Sequence, residues 1–311
     1  MMHVTSTDRY RITRWRVVMT NILSLAAGLG VISIIFMIAG VNPLFAISEI
    51  FQGSFGSVYG FKETVTKAIP LILIGSGLTL AFRAKFWNIG AEGQLLMGAI
   101  FATWTGLTFG DTLPAWGIIP LMFASGFLGG ALWGIIPAIL KIKYAINEVI
   151  STLMLNYICA HILTMLIVGP WKGGTRFGFP GTDSLPEAGK YAGIDFLKTT
   201  LILMAISGGL AGMAGVGEVA GIHQYLGYPD SMSSGYGFTA IIVAWLAKLN
   251  PLYTVLSGLF FAGILLGGDA IQISLGLPAA TVDIVNGTLL IFLIMGDYFL
   301  NHKISITFST R

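Results

Sequence analysis

Val17-Val-Met-Thr-Asn-Ile-Leu-Ser-Leu-Ala-Ala-Gly-Leu-Gly-Val-Ile-Ser-Ile-Ile-Phe-Met-Ile-Ala39 contains no ionisable side chain. Wound as a helix at about 1.5 Å per residue, it is long enough to cross a hydrocarbon layer of about 30 Å. Arg9, Arg11, Arg14 and Arg16 all stand before it. A cleaved signal peptide would have a shorter apolar core ending in small residues. Here the run passes straight into Gly40-Val41-Asn42-Pro43, so it reads as a retained first membrane helix.

The rest of the chain has the same character. Hydrophobic residues make up 55% of the 311 and charged residues only 10%, against about 25% in a soluble domain. A mean hydropathy of +0.83 agrees. Such a chain cannot keep a folded surface wet, which excludes soluble enzymes, nucleic-acid binders and disordered chains. The net charge of +3 is too small to imply a nucleic-acid partner. The single cysteine, Cys159, rules out a disulfide framework and a thiolate metal site. The expected fold is an all-α polytopic integral membrane protein with about 8–10 transmembrane helices, one or two of them broken or re-entrant.

Apolar runs recur at residues 17–39, 64–82, 94–109, 116–140, 149–168, 199–216, 238–249, 252–266 and 282–300. Most hold small residues four apart: Gly126/Gly130/Gly134, Gly208/Gly212, Ala211/Gly215, Gly217/Gly221 and Gly263/Gly267. Lipid tails are as apolar as leucine, so helices associate in a bilayer through close backbone packing, which this spacing permits. Residues 1–16 are expected as a cytoplasmic N-terminal segment, 17–300 as the transmembrane domain and 301–311 as a C-terminal tail.

The positive-inside rule places the N-terminal arginines in the cytoplasm. Arg83–Lys85 and Lys141–Lys143 then fall on inside turns, as they should. The rule fails after the fifth run. The following loop should lie outside, yet it holds Lys172, Arg176, Lys190 and Lys198. Nine crossings would also leave Lys303 and Arg311 outside. Three explanations are open: the short run 238–249 is re-entrant, long loops tolerate charge, or a helix expected near 186–190 is absent. The first repairs only the C-terminus, the third repairs both.

Two polar stretches interrupt the apolar text. Arg83-Ala-Lys-Phe-Trp-Asn-Ile-Gly-Ala-Glu-Gly-Gln94 brings Asn88, Glu92 and Gln94 together between two membrane helices. Irregular backbone at membrane depth must be buried in protein or line a wet cavity, so this is either a broken helix beside a transport path or a cytoplasmic turn. In the second case Asn88 caps the next helix and Glu92 sits in its first turn. Asn147-Glu148 opens the next polar stretch, in which Glu148, Thr152 and Asn156 form a stripe at four-residue spacing. Ionisable groups in such segments face a bundle interior or cavity; Glu148 could instead lie at the interface near Lys143. Glu218 and Asp269 lie among glycines, as at cavity or turn positions. His161 and His223 lack ligand spacing, so no metal is expected. No phosphate-cradling G-x-x-x-x-G-K-[ST] loop occurs, so ATP, if used, is bound elsewhere.

At Phe86–Gln94 and Asn147–Tyr157 the chain resembles the permease subunits of bacterial and archaeal ABC importers, in the nucleoside and simple-sugar branch of the ribose/branched-chain amino acid permease superfamily. Ser207–Gly215 and Gly235–Pro251 agree. The resemblance implies a transport subunit with no catalytic residues or cofactor of its own. It would sit in the prokaryotic plasma (inner) membrane with a cytoplasmic N-terminus. It would pair with a homologous second permease, two cytoplasmic ATPases that bind the ATP, and an extracytoplasmic substrate-binding protein. It places Asn88, Glu92, Gln94 and Asn156 beside the substrate path, with Asn147 and Glu148 as further polar residues. Lys190, Tyr191, Ala192, Gly193 and Ile194 match the family's ATPase-contacting stretch. Family members carry a further membrane helix and a basic cytoplasmic segment just before that stretch, where this chain runs from Leu185-Pro186-Glu187 directly into Ala188-Gly189-Lys190. Thr239, Trp245 and Ala247 also replace the glycine, leucine and glycine expected there. The rival reading is an ion-coupled secondary transporter using Glu92, Glu148 or Asp269.

Overall fold

The computed structural model describes residues 2–8, 14–173, 181–182, 199–233 and 235–308. Each of the nine apolar runs falls on a helix. Two compact units emerge: Met1–Thr64 with Ala262–Arg311, and Val65–Phe261.

In the first unit, α1 (Arg14–Ile38) packs on α11 (Ala279–Asn301). The chain then turns by 113° into α2 (Pro43–Phe55). That turn is written locally: Gly40 takes the left-handed φ of +75° that residues with a Cβ avoid. Asn42 follows as N-cap, its Oδ1 accepting from Leu44 N–H at 3.0 Å, and Pro43 occupies the first helical position. β1 (Met2–Asp8) and β2 (His302–Phe308) form a short antiparallel ribbon, with Met2 opposite Phe308.

The second unit contains most of α3 (Val58–Arg83), then α4 (Ala91–Phe109), α5 (Ala115–Tyr144), α6 (Glu148–Val168) and α7 (Thr199–Val216). A π-helical turn, Gly217–His223, continues α7. After it come α8 (Pro229–Ser233), α9 (Tyr236–Leu246) and the start of α10 (Tyr253–Leu275). Among the described residues five helices are long and apolar enough to span a bilayer, six if the bent pair containing α2 counts as one. α9, with 11 residues, is too short to cross a layer of about 30 Å, as expected of a re-entrant segment. α4 is buried on nearly every side, as a helix apolar all round should be.

α5 and α7 pack against α4 through glycine. A Cβ on Gly98 would overlap the backbone of Gly212, one on Gly212 would overlap Gly126 O, and one on Gly130 would overlap Gly208 O. Two of the small-residue runs are therefore real backbone contacts. Gly263 and Gly267 likewise pack, on Phe55 and Ile50 of the first unit. Gly217 and Gly221 do not: a Cβ on either would meet nothing within 4 Å. Their spacing looked like a packing motif, but they border open space.

The same contacts fix helix direction. Gly90 meets Thr152 and Gly93 meets Asn156; Gln94 meets Gly208 and Ala99 meets Gly215. Both pairings advance together, so α6 and α7 each run parallel to α4. α6 therefore ends at the far end of the bundle from the start of α7. Thr182 is held at that far end, its N–H donating to Leu226 O at 3.1 Å and its Oγ1 accepting from Leu226 N–H at 3.1 Å. Thr199 lies at the other end of α7, about 27 Å away.

Candidate functional site

The polar stretch after α3 folds into a closed latch. Asn88 is fully buried, and Gln94 is 1% exposed. Asn88 Nδ2 donates to Gln94 Oε1 at 3.0 Å and to Ser207 Oγ of α7 at 3.1 Å. Gln94 Nε2 returns a bond to Asn88 Oδ1 at 3.2 Å. That same oxygen accepts from Gly90 N–H at 3.0 Å. Asn88 thus turns the chain onto the start of α4 instead of capping it: the cap position is Gly90, which has no side chain to accept from the first helical N–H groups. In a buried setting each of these amide groups needs a partner, and each has one.

α6 is tied to the same loop. Asn156 Oδ1 accepts from Gly93 N–H at 2.8 Å and its Nδ2 donates to Ile89 O at 2.9 Å. Thr152 Oγ1 accepts from Ile89 N–H at 3.2 Å. Asn156 in this way supplies both an acceptor and a donor to irregular backbone that has no helical partners. Glycine at 90 and 93 makes room: a Cβ at either would come within 3.0 Å of α6. The stripe along α6 faces α4.

Glu92 reaches a different element. Its Oε2 accepts from Gly237 N–H at 2.8 Å, and the Ser233 side chain is a second hydrogen-bond partner. Gly237 lies in the first turn of α9, so a carboxylate from one helix caps the N-terminus of another, where the helix dipole favours negative charge. The preceding Gly235 has φ +77°. A side chain at 237 would collide with Glu92 backbone. Ser207, Ser233 and Gly237 were not singled out as site residues from sequence, because their role exists only through residues more than a hundred positions away.

Trp245, the unexpected tryptophan, stacks on Trp87 with ring centroids 5.6 Å apart, and Phe82 lies against both. Glu148 forms an ion pair with Lys141, not with the Lys143 nearest in expectation. Lys141 also lies 4.9 Å over the Phe86 ring. Asn147 N-caps α6, accepting from Val149 N–H at 2.8 Å. Asp269 sits exposed in the middle of α10 rather than at a turn. Lys190, Tyr191, Ala192, Gly193 and Ile194 lie outside the described residues.

Replacing Asn88 by leucine leaves Gln94, Ser207 and Gly90 short of a partner at once. The expected loss is about 3 kcal/mol, against about 1 kcal/mol for Ser207→Ala. Thermal unfolding of both variants in detergent checks the ranking, and equal losses would contradict the latch.

The permease component of the branched-chain amino acid transport system matches this sequence over residues 60–185 and 181–294. The chain belongs to this family. The permease is similar to the glucose ABC transporter permease protein TsgB13 of Haloferax volcanii, 30% identical over 97% of this chain and 94% of the relative. It is also 30% identical to the guanosine ABC transporter permease protein NupP of Bacillus subtilis, over 87% and 90%. A second guanosine ABC transporter permease protein of that organism, NupQ, is 26% identical over 46% of this chain and 48% of its own length. No solved structure matches.

The alignments also measure what the permease lacks. The TsgB13 match extends over 360 positions, but 97% of 311 residues is about 302, so about 58 positions have no residue here. For NupP, 87% of the chain is about 271 residues over 320 positions, leaving about 49. The two family matches meet at residues 181–185. With Glu92 bound to α9 and Glu148 to Lys141, nothing in the arrangement supports the ion-coupled reading.

Proposed function

We propose that the permease is the membrane subunit of an ATP-driven importer for nucleosides or related simple sugars. The observation that carries this reading is the latched α4–α5–α7 core, found in a family member whose relatives are named for glucose and guanosine ABC transport. The proposed assembly adds a homologous second permease, two cytoplasmic ATPases and an extracytoplasmic substrate-binding protein. NupP and NupQ, both similar to this chain and both named for guanosine, support the pairing of two permeases. The arginines before α1 support a cytoplasmic N-terminus in a prokaryotic plasma membrane. ATP binds to and is hydrolysed on the partner subunits, and Lys190–Ile194 receives their motion.

The chain's own residues divide the work. Asn88, Gln94 and Asn156 hold the α4 entry rigid against α6 and α7 beside the path. Glu92 joins that rigid entry to the short α9, so a displacement of α9 is transmitted to α4 through one carboxylate. The importer reconstituted in liposomes should accumulate guanosine or glucose only with ATP and the binding protein, and should be indifferent to a protonophore. Accumulation by this chain alone would overturn the reading.

The permease also lacks, in our reading, one crossing between α6 and α7. The parallel course of these helices, the match boundary at 181–185 and the absent alignment positions support this. The failure of the positive-inside rule begins in the same loop.

A further inference from the structure

The π-helical turn at the end of α7 takes no part in the latch, yet it carries the least satisfied charged group among the described residues. Glu218 is 2% exposed, and its Oε1 has no hydrogen-bond partner. Its Oε2 lies 3.5 Å from Nε2 of His223, which is partly exposed. Tyr225 stands edge-on to the His223 ring at 5.9 Å. Gly217 and Gly221 border open space on the same turn, unlike the buttressed glycines of α7 one turn earlier. A π-helical turn is a rare interruption of an α-helix and is found frequently at functional sites. A buried carboxylate oxygen without a donor is destabilising unless something supplies one, and in a membrane segment such a group marks a pathway.

We propose that this turn is a recognition subsite for a hydroxyl-bearing ring, with a ring hydroxyl donating to Glu218 Oε1 and His223 as the second polar contact. This rests on the nucleoside or sugar reading and deepens it. The ring could be the pentose of a nucleoside or a free hexose, since both offer adjacent hydroxyl donors. A partly exposed imidazole beside a buried carboxylate gives one wet and one dry contact.

The test is uptake by the complete importer, comparing guanosine with 2′,3′-dideoxyguanosine and glucose with 3-deoxyglucose. The pair showing discrimination identifies the ring. In the wild type the hydroxylated member should be preferred by roughly 10- to 100-fold in kcat/KM, the range of a hydrogen bond to a charged group. Glu218→Leu should collapse that ratio to near one by slowing the hydroxylated member only, and should raise the unfolding temperature, since a buried carboxylate oxygen without a donor is removed. Glu218→Gln, which keeps a weaker acceptor, should fall between. A purely structural carboxylate would instead lower the unfolding temperature and slow both members equally, and that result overturns the proposal. If neither Glu218 variant assembles, His223→Gln carries the same readout, and an unchanged ratio there overturns it. A wild-type importer that moves neither solute class defeats the functional reading and this proposal together, whereas normal transport with unchanged ratios defeats this proposal alone.

Discussion

Gly212→Leu is expected to abolish the folded permease. Gly212 sits where α4, α5 and α7 converge: a Cβ there would overlap Gly126 O and lie 3.1 Å from Gly130 Cα, while Gly98 leans on Gly212 from the other side. These neighbours are backbone, so no side-chain rotation relieves the clash. Overpacking a core costs about 1–3 kcal/mol when side chains can move aside; here whole helices must separate, so the loss should exceed that range. Separation also stretches the Asn88–Ser207 bond, since Ser207 is on the same helix. Gly30→Ala in α1 is the matched control. A Cβ there meets nothing, so the change should be neutral or stabilising by up to about 1 kcal/mol. Size-exclusion profiles and thermal unfolding in detergent decide the matter, and a monodisperse Gly212→Leu protein with wild-type unfolding would refute the backbone-contact core.

Inserting a crossing where we propose that one is missing should raise ATP-dependent uptake by about tenfold or more, the effect of restoring somewhat over 1.4 kcal/mol of productive coupling. Thr182 and Thr199 lie at opposite ends of α7, and the sequence between them includes Asp183, Glu187, Lys190, Asp195 and Lys198. At the centre of a spanning helix each such charge opposes insertion by about 2.5–3.5 kcal/mol. The roughly 50–60 alignment positions that TsgB13 and NupP fill and this chain does not are enough for one helix of about 20 residues and a cytoplasmic segment. On that proposal, grafting those positions from NupP between Pro186 and Glu187 would supply a return helix between α6 and α7 ahead of the proposed ATPase-contacting stretch Lys190–Ile194. Uptake and ATP hydrolysis measured together would show the transported-to-hydrolysed ratio rising. An ungrafted importer already as tightly coupled as the grafted one would refute the missing crossing.

Apolar run length and composition were sufficient to place nine of the helices among the described residues, five or six of them long and apolar enough to cross a bilayer. The turn at Gly40-Val41-Asn42-Pro43 was equally local: a left-handed glycine, a capping asparagine and a proline specify it within four residues. The positive-inside rule fails after α6 on the linear chain alone, since charge asymmetry is a property of the sequence. Tertiary structure decided what the marked polar residues do. Asn88, Gln94 and Asn156 stood out because amides are rare in apolar text, but only folding showed their hydrogen bonds closing on Ser207, Ile89 and Gly93. The same holds for Glu92, whose partner is 145 residues away, and for the glycine pairs. Four-residue spacing is identical at Gly208/Gly212, which touch backbone, and at Gly217/Gly221, which touch nothing. Spacing records which face of a helix a residue occupies, while what meets that face depends on neighbours brought in from elsewhere in the chain.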